Sequence, residues 1–240
     1  MRVRAEIDLK ALGLTKREWL KFIKDQPWEE IPKPKVYDTS MRDHTQGWQR
    51  VGTVKEITGA DWLSSRGWTE PGVYALVYDP KAQVTNPITE ANTIVLGETI
   101  QSFALRIYSH VGGLKGKHTN TKAKWEGHHL RAINEHFGTD VKQDLKNIVI
   151  WFKPHSLLDP DWQYDKQHSQ RMETQCQAFY LALHGRVPPA NRRDAPYSGE
   201  VLAAIKILEE QGYTVSDRAL EIKEEERRLF HPLFNEVWGK

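Results

Sequence analysis

The chain has 240 residues, of which 39% are hydrophobic, and its 34 basic and 32 acidic side chains give a formal net charge of +2. This length can bury a substantial core in one or two domains, and no apolar stretch approaches the ~20 residues that cross a bilayer. The charged N-terminus lacks the apolar run of a signal peptide, and the single cysteine, Cys176, excludes an intrachain disulfide framework. We therefore expect a cytoplasmic protein without a membrane segment.

The first predicted elements are a helix and two strands. Thr15 and Glu18 form a capping-box pattern that predicts a helix ending before Pro27, whereas residues 35–70 show little regular pattern. Residues 72–78 form a β-rich run between prolines, and residues 93–96 predict a second strand that Gly97 ends. The intervening residues are typical of an extended hairpin connection.

Helices dominate the rest of the chain. A helix is predicted from Ser102 to the glycine pair Gly112-Gly113, and residues 147–152 form a third, continuously apolar strand. Four further helices are predicted, at residues 124–137, 167–184, 201–211 and 219–238. The pattern predicts an α/β (α+β) fold in which a small central sheet of about three strands is flanked by helices.

Arg106 and His110 lie four residues apart and therefore share one face of the predicted helix. Taken alone, such a pair is common as a solvated feature of helix surfaces. The helix, however, directly follows two strands that each carry a glycine-containing triplet, Gly72-Val73-Tyr74 and Val95-Leu96-Gly97. This arrangement suggests that the helix and both strands contribute to one site.

In these residues the chain resembles the GIY-YIG nuclease family, most of all its stand-alone restriction endonucleases. The two triplets match the family's signature triplets, and Arg106 and His110 match its helical arginine and the histidine one turn later. Glu173 matches the metal-binding glutamate, and a Pro-Pro-Ala-Asn sequence places Asn191. The resemblance covers roughly residues 70–195, and its specificity comes from the ordered set rather than from any one motif.

The resemblance implies a phosphodiester hydrolase with Tyr74, Arg106, His110, Glu173 and Asn191 as catalytic residues. Tyr74 would help to deprotonate the attacking water, and Arg106 would hold a phosphate oxygen in its planar fork. Glu173 would bind one Mg²⁺ or Mn²⁺ ion through a hard oxygen, and Asn191 would brace the site. The alternative for Glu173 is an ordinary carboxylate on a helix surface.

The second triplet departs from the family, because Val95 stands where a tyrosine is usual. Valine has no proton to transfer, so this position can mark only the fold. Tyr78 lies four residues beyond Tyr74 and would face the same side of its strand, and Tyr108 is another nearby phenol. Neither can be assigned as a substitute from the sequence.

DNA is the expected partner, with a homodimer as a further expectation for double-strand cutting. The basic residues expected to contact the phosphate backbone are Lys115, Lys117, His118, Arg192 and Arg193. The expected domains are an N-terminal extension over residues 1–69, a nuclease core over 70–195 and a C-terminal helical extension over 196–240. The two extensions would contribute DNA specificity or an oligomer contact.

Two alternatives stay open at this point. The first is a nucleic-acid-binding protein whose nuclease site has degraded, and Val95 is the observation that favours it. The second is a structural or interaction protein, which the recurring tryptophans and the acidic C-terminal stretch would suit. Cys176, on the apolar side of its predicted helix, is interpreted as a packing residue rather than a nucleophile.

Overall fold

The computed structural model of the chain describes residues 41–99, 102–115, 130–155, 166–191, 196 and 198–226. Within these residues, one antiparallel sheet contains the strands β1 (Gln49–Thr53), β2 (Gly72–Tyr78), β3 (Thr93–Thr99) and β4 (Ile148–Pro154). Their order across the sheet is β1-β4-β2-β3, so that β2 and β4 are central and β1 and β3 are edges. The predicted class, a mixed α/β fold with a small sheet flanked by helices, is confirmed.

Two details of the predicted sheet are wrong. The described part of the chain has four strands rather than about three, because β1 lies in the stretch that shows little pattern. This strand has only five residues, and its register against β4 shifts between Arg50 and Gly52, so neither length nor alternation reveals it. The second strand does not end at Gly97, because Gly97 and Glu98 continue to pair with Tyr74 and Val73 of β2.

The helices form two layers, one on each face of the sheet. Their described bounds are α1 (Ala60–Ser64), α2 (Phe103–Leu114), α3 (Leu130–Phe137), α4 (Lys166–His184), α5 (Ser198–Glu210) and α6 (residues 217–226). One core cluster joins α1, α2 and α3 to Tyr74, Leu76 and Phe152 of the sheet. The other core cluster joins α4, α5 and α6 to the opposite face of the same strands.

Three helices are followed by a glycine with positive φ, as the sequence predicts, whereas the predicted end of a fourth helix is wrong. Gly138, Gly185 and Gly212 have φ between +65° and +80° just beyond α3, α4 and α5, as the sequence predicts. The predicted end of α2 at Gly112-Gly113 is wrong, because the helix continues to Leu114. A glycine inside a helix costs only about 1 kcal/mol relative to alanine, and burial of the flanking Val111 and Leu114 offsets that cost.

Both predicted extensions contribute strands or helices to the two core clusters that flank the sheet. β1 pairs along β4, and Leu63 of α1 is buried in the cluster that contains Tyr74. Beyond residue 195, Val201 of α5 and Ile222 of α6 complete the cluster on the other face. The predicted helix at Thr15 and the residues beyond 226 lie outside the described part of the chain. No helix within the described ranges is both long and apolar enough to cross a membrane.

Candidate active site

Tyr74 is a fully buried residue of the central strand β2, with 1% of its surface exposed. It lies opposite Gly97 of β3, and its ring covers that glycine. A β-carbon added at Gly97 would lie 2.5 Å from the Tyr74 ring carbon that bears the hydroxyl, so no other residue fits without displacing the ring. The glycine of the second triplet is therefore required by the position of the tyrosine of the first.

Gly72 is required by a second close approach. A β-carbon there would lie 2.6 Å from the Phe152 ring and would overlap the carbonyl of Lys153, both on the neighbouring strand β4. The two glycines thus permit tight packing of the two strands that flank β2.

The Tyr74 hydroxyl is hydrogen-bonded to His110, with its oxygen 2.7 Å from Nε2. His110 lies on the inner face of α2 and is itself buried, and the two ring centroids are 5.3 Å apart. Burial raises the pKa of the Tyr74 phenol to about 12, and the nearby positive charge of Arg106 opposes this rise. The phenol is therefore protonated at neutral pH, with an imidazole positioned to share its proton.

Arg106 stands one helical turn before His110, in the first turn of α2, and is exposed to solvent. The pKa of its guanidinium is raised by the Tyr74 oxygen, through both charge and a side-chain hydrogen bond. The two groups therefore act on each other directly. Arg106 therefore lies near the buried phenol, while the residue as a whole remains open to a ligand in solvent.

Two carboxylates act on this pair from different elements. Glu173 is a half-buried residue of α4, and its Oε1 accepts a hydrogen bond of 3.1 Å from Gln177 one turn later. Glu98, the residue after Gly97 on β3, is also half-buried. The charges of both raise the pKa values of Tyr74 and Arg106. Glu173 was expected from the sequence, whereas Glu98 was missed, although its place directly after the second triplet could have revealed it.

Asn191 braces the edge strand of the sheet. Its side-chain amide accepts a hydrogen bond of 2.8 Å from the backbone N–H of Leu96 and donates one of 2.6 Å to the Leu96 carbonyl. β3 is an edge strand and has no neighbouring strand on this side. The buried Asn191 amide therefore makes the two hydrogen bonds that a neighbouring strand would otherwise make. Asn191 therefore supports the site indirectly, because it holds the backbone of β3 next to Gly97.

The position of the missing second tyrosine is apolar, and one of the two phenols that the sequence suggested is bonded elsewhere. Val95 is 8% exposed and is part of the apolar cluster around Tyr74. Tyr78 packs against that same cluster, as its spacing predicts, but its hydroxyl donates to Asp144 at 3.1 Å. Tyr108 lies on α2 between Arg106 and His110 and is half-buried.

One of the five residues expected to contact DNA lies in the described part of the chain. Lys115 follows the last residue of α2, and its Nζ donates to the backbone carbonyl of Ile57 at 2.7 Å. This contact joins the end of α2 to the segment before α1. Lys117, His118, Arg192 and Arg193 lie outside the described residues.

A second polar pair lies on the opposite face of the sheet and was not foreseen. Cys176 Sγ is 3.4 Å from His44 Nδ1, and His44 Nε2 is 2.8 Å from Gln175 Oε1. Burial raises the pKa of the Cys176 thiol to about 12 and lowers that of His44 to about 3. Both shifts oppose a thiolate–imidazolium pair, in agreement with the interpretation of Cys176 as a packing residue.

The site suits a divalent ion bound largely by water and substrate. Among the described residues, no group of three or more His, Cys, Asp or Glu side chains converges as a complete metal site. The half-buried carboxylate of Glu173 offers the hard oxygen that Mg²⁺ prefers, and Mg²⁺ keeps several waters when few protein ligands are present. The donor chemistry of Glu173 therefore fits the ion that the resemblance implies.

Comparison with known proteins finds no family model that matches the chain and no significant match among curated proteins or solved structures. The resemblance to the GIY-YIG nucleases therefore rests on the residues of the chain itself.

Proposed function

We propose that this protein is a metal-dependent DNA endonuclease of the GIY-YIG type that hydrolyses phosphodiester bonds at specific sites, in the manner of a restriction enzyme. The observation that carries the proposal is the Tyr74 hydroxyl, 2.7 Å from His110 Nε2 and beside the guanidinium of Arg106. The two signature glycines support it, because each makes room for the strand packing that holds this phenol.

The residues divide the chemistry as follows. A water molecule attacks the phosphorus and gives its proton to the Tyr74 oxygen, while the phenol gives its own proton to His110 Nε2. The P–O3′ bond then breaks, and the 3′ oxygen leaves with the bonding electrons and takes a proton from solvent. A phenol with a pKa of about 12 is a poor base when isolated, so the histidine at 2.7 Å makes the transfer feasible at neutral pH.

Arg106 has two tasks in this mechanism. Its positive charge stabilises the phenolate form of Tyr74, and its solvent-facing side binds a non-bridging phosphate oxygen through charge-assisted hydrogen bonds. Glu173 would hold Mg²⁺ or Mn²⁺. A bound ion supplies Lewis-acid stabilisation of the phosphate and of the leaving oxygen. Asn191 keeps β3, and with it Gly97, in place beneath the Tyr74 ring.

The second candidate is a nucleic-acid-binding protein with a degraded nuclease site. Two observations favour it: Val95 is packed into the apolar cluster, and the Tyr78 hydroxyl donates to Asp144. Under this alternative, the protein would bind DNA in a salt-dependent way without cutting it.

The decisive experiment incubates the purified protein with supercoiled plasmid and Mg²⁺. The endonuclease proposal predicts nicked and linear products that EDTA abolishes. Glu173→Gln should lower the cleavage rate at least ~100-fold, because the neutral amide cannot hold the ion, while plasmid binding persists. Glu135→Gln, which changes an exposed carboxylate of α3, is the matched control and should cleave at the native rate.

The outcomes separate the two candidates. Plasmid binding without cleavage under Mg²⁺ or Mn²⁺ would favour the degraded site and contradict the endonuclease. Sequencing the product ends tests the restriction-type specificity: unique termini support it, and scattered termini contradict it.

A further inference from the structure

Arg66 is an exposed arginine on the α2 face of the molecule, and it has no task in the mechanism above. It follows α1, and its guanidinium carbon lies 4.0 Å from the centre of the Trp62 ring. Its Nη1 donates a hydrogen bond of 2.9 Å to the backbone carbonyl of the same tryptophan. The two contacts together hold the guanidinium over the indole ring.

Trp62 is itself held against the edge strand β1. A β-carbon added at Gly52 would lie 3.3 Å from the Trp62 ring, so the indole packs on the backbone of β1 where this glycine leaves room. The tryptophan is half-buried and packs against the core cluster that contains Tyr74. Trp62 thus connects the sheet to a cation that is exposed to solvent.

The position of Arg66 gives it more than the role of a helix cap. An arginine near the end of a helix often donates to the last helical carbonyls, and the bond to Trp62 does this for α1. That bond uses only one of the five N–H donors of a guanidinium. Within the described part of the chain, Arg66 has no carboxylate partner. The remaining donors, which lie in the guanidinium plane, are therefore open to an anion from solvent.

Arg66 lies at the same end of the α2 face as Arg106. Trp68, two residues after Arg66, packs against Phe103 with the ring centroids 6.2 Å apart. Phe103 is the first residue of α2, and Arg106 follows it in the same turn. Below these residues, β1 and β2 are separated only by β4, so the two strands lie about 10 Å apart. The two exposed arginines therefore belong to one surface.

We propose that Arg66 binds a backbone phosphate of DNA a few nucleotides from the bond that is cleaved, and that Trp62 holds it in position for this contact. The inference rests on the proposed endonuclease function for its partner. One strand of duplex DNA rises about 3.4 Å per nucleotide, so a separation of about 10 Å corresponds to about three nucleotides. A planar guanidinium with open in-plane donors matches the paired oxygens of a phosphate.

The salt dependence of DNA binding tests this contact without any cleavage. Each phosphate that a protein neutralises contributes about 0.9 to the slope of log Kd against log salt concentration. Arg66→Gln should lower this slope by about one and weaken binding about tenfold, because a charge-assisted hydrogen bond is lost. The measurement is the fluorescence anisotropy of a labelled duplex of mixed sequence in EDTA, so that the DNA stays intact. A native slope in Arg66→Gln would overturn the proposal.

Two further arginine variants separate a specific contact from net charge. Arg218→Gln is the matched control, because it removes the same charge from α6 on the opposite face, and it should leave the slope unchanged. An equal fall of the slope in Arg218→Gln and Arg66→Gln would exclude a specific contact. Arg66→Lys keeps the charge and should keep most of the slope. Equal slopes in Arg66→Lys and Arg66→Gln would overturn the phosphate contact.

Trp62→Leu tests whether the ring holds the arginine. It should weaken DNA binding about two- to fivefold when Arg66 is present, because the guanidinium loses its cation–π contact. In the Arg66→Gln background it should have no further effect, and this difference is the coupling that a double-mutant cycle measures. Equal losses in both backgrounds would exclude the holding role of Trp62. If Trp62→Leu does not fold, the variants of the exposed Arg66 still decide the DNA contact.

The consequence for cleavage is a split between KM and kcat. Arg66→Gln should raise KM at unchanged kcat, because the contact is equally strong in the ground state and in the transition state. A fall of kcat at saturating DNA would contradict a contact with a phosphate that does not react. If the native protein binds DNA without cleaving it, the endonuclease function fails, and the salt slopes still decide the contact. If the native protein cleaves DNA and Arg66→Gln keeps the native slope, the endonuclease function stands and the Arg66 contact fails.

Discussion

Two buried pairs, one on each face of the sheet, join an acidic group to a histidine. On the α2 face the Tyr74 hydroxyl lies 2.7 Å from His110, and on the α4 face the Cys176 thiol lies 3.4 Å from His44. Burial raises the pKa of both acids to about 12. By distance and burial alone, the two pairs are equally plausible as reactive centres.

The surroundings of the two pairs separate them. Tyr74 is next to Arg106, a cation with an exposed side that can reach a ligand. The cation that acts most on Cys176 is Lys153, which is 2% exposed and donates to the backbone carbonyl of Asp43, whereas the exposed Arg42 is the weakest of the groups that shift the pKa of His44. The pair with Tyr74 is therefore the better candidate for catalysis, because an exposed cation acts directly on its acid.

A large effect should come from Gly97→Ala, which disturbs the α2 face. The added methyl group overlaps the Tyr74 ring, so the phenol has to move away from His110. We expect cleavage to fall at least ~100-fold, because small misplacements of a reacting group cost that much. The free energy of unfolding should fall by about 1–3 kcal/mol from overpacking.

Gly199→Ala is the matched control for this prediction. A β-carbon at Gly199, in the first turn of α5, meets nothing within 4 Å. The alanine should leave cleavage unchanged and should not lower the melting temperature. Native-like cleavage by Gly97→Ala would show that the packing of Tyr74 over Gly97 has no part in the chemistry.

The buried pair on the α4 face should affect how the free energy of unfolding depends on pH in the acid range. Burial, and secondarily the charge of Lys153, lower the pKa of His44 from 6.5 to about 3. A group whose pKa is lowered on folding contributes stability that is present above pH 6.5 and is lost as the pH falls towards 3. We expect a loss on the order of a few kcal/mol across this range, measured by urea unfolding at successive pH values.

Replacement of His44 tests the source of that loss. His44→Gln removes the titrating group, so its free energy of unfolding should depend less steeply on pH between 6.5 and 3. If the free energy of unfolding of His44→Gln depends on pH as steeply as that of the native protein, buried His44 is not the source of the loss in acid.

A smaller effect is expected for Asn191→Ala, since this residue supports the site through the backbone. The substitution leaves the N–H and carbonyl of Leu96 without their partner, which should lower the free energy of unfolding by about 1–3 kcal/mol. Asn92→Ala is the control, because Asn92 bonds Tyr78 through its backbone carbonyl, which alanine retains. Chemical denaturation of both variants measures the difference. An unchanged stability in Asn191→Ala would exclude the bracing role.

The sequence predicts the elements that have strong local patterns. The run at residues 72–78 and the continuous apolar run before Lys153 are strands, and Gly138, Gly185 and Gly212 end helices where expected. Tyr74, Arg106 and His110 are brought together because strand alternation and helical spacing fix their faces. For these residues, local periodicity and the order of the elements are sufficient.

The rest depends on contacts between distant residues. Cys176 and His44 are 132 positions apart, and nothing near either one indicates the other. The need for glycine at position 97 comes from a ring on another strand, and β1 is defined by its pairing with β4 rather than by its own pattern.

The most direct test of the central claim compares Tyr74→Phe with Cys176→Ala. Single-turnover cleavage of plasmid with Mg²⁺ is measured for both variants from about pH 6 to about pH 9, in steps of about one pH unit. Loss of the Tyr74 hydroxyl breaks the proton relay from water to His110, so cleavage should slow by about 10²–10⁴-fold across this pH range. Loss of the Cys176 thiol should leave the rate and its pH dependence unchanged. Cleavage by Tyr74→Phe at the native rate would contradict the assignment of the reactive centre.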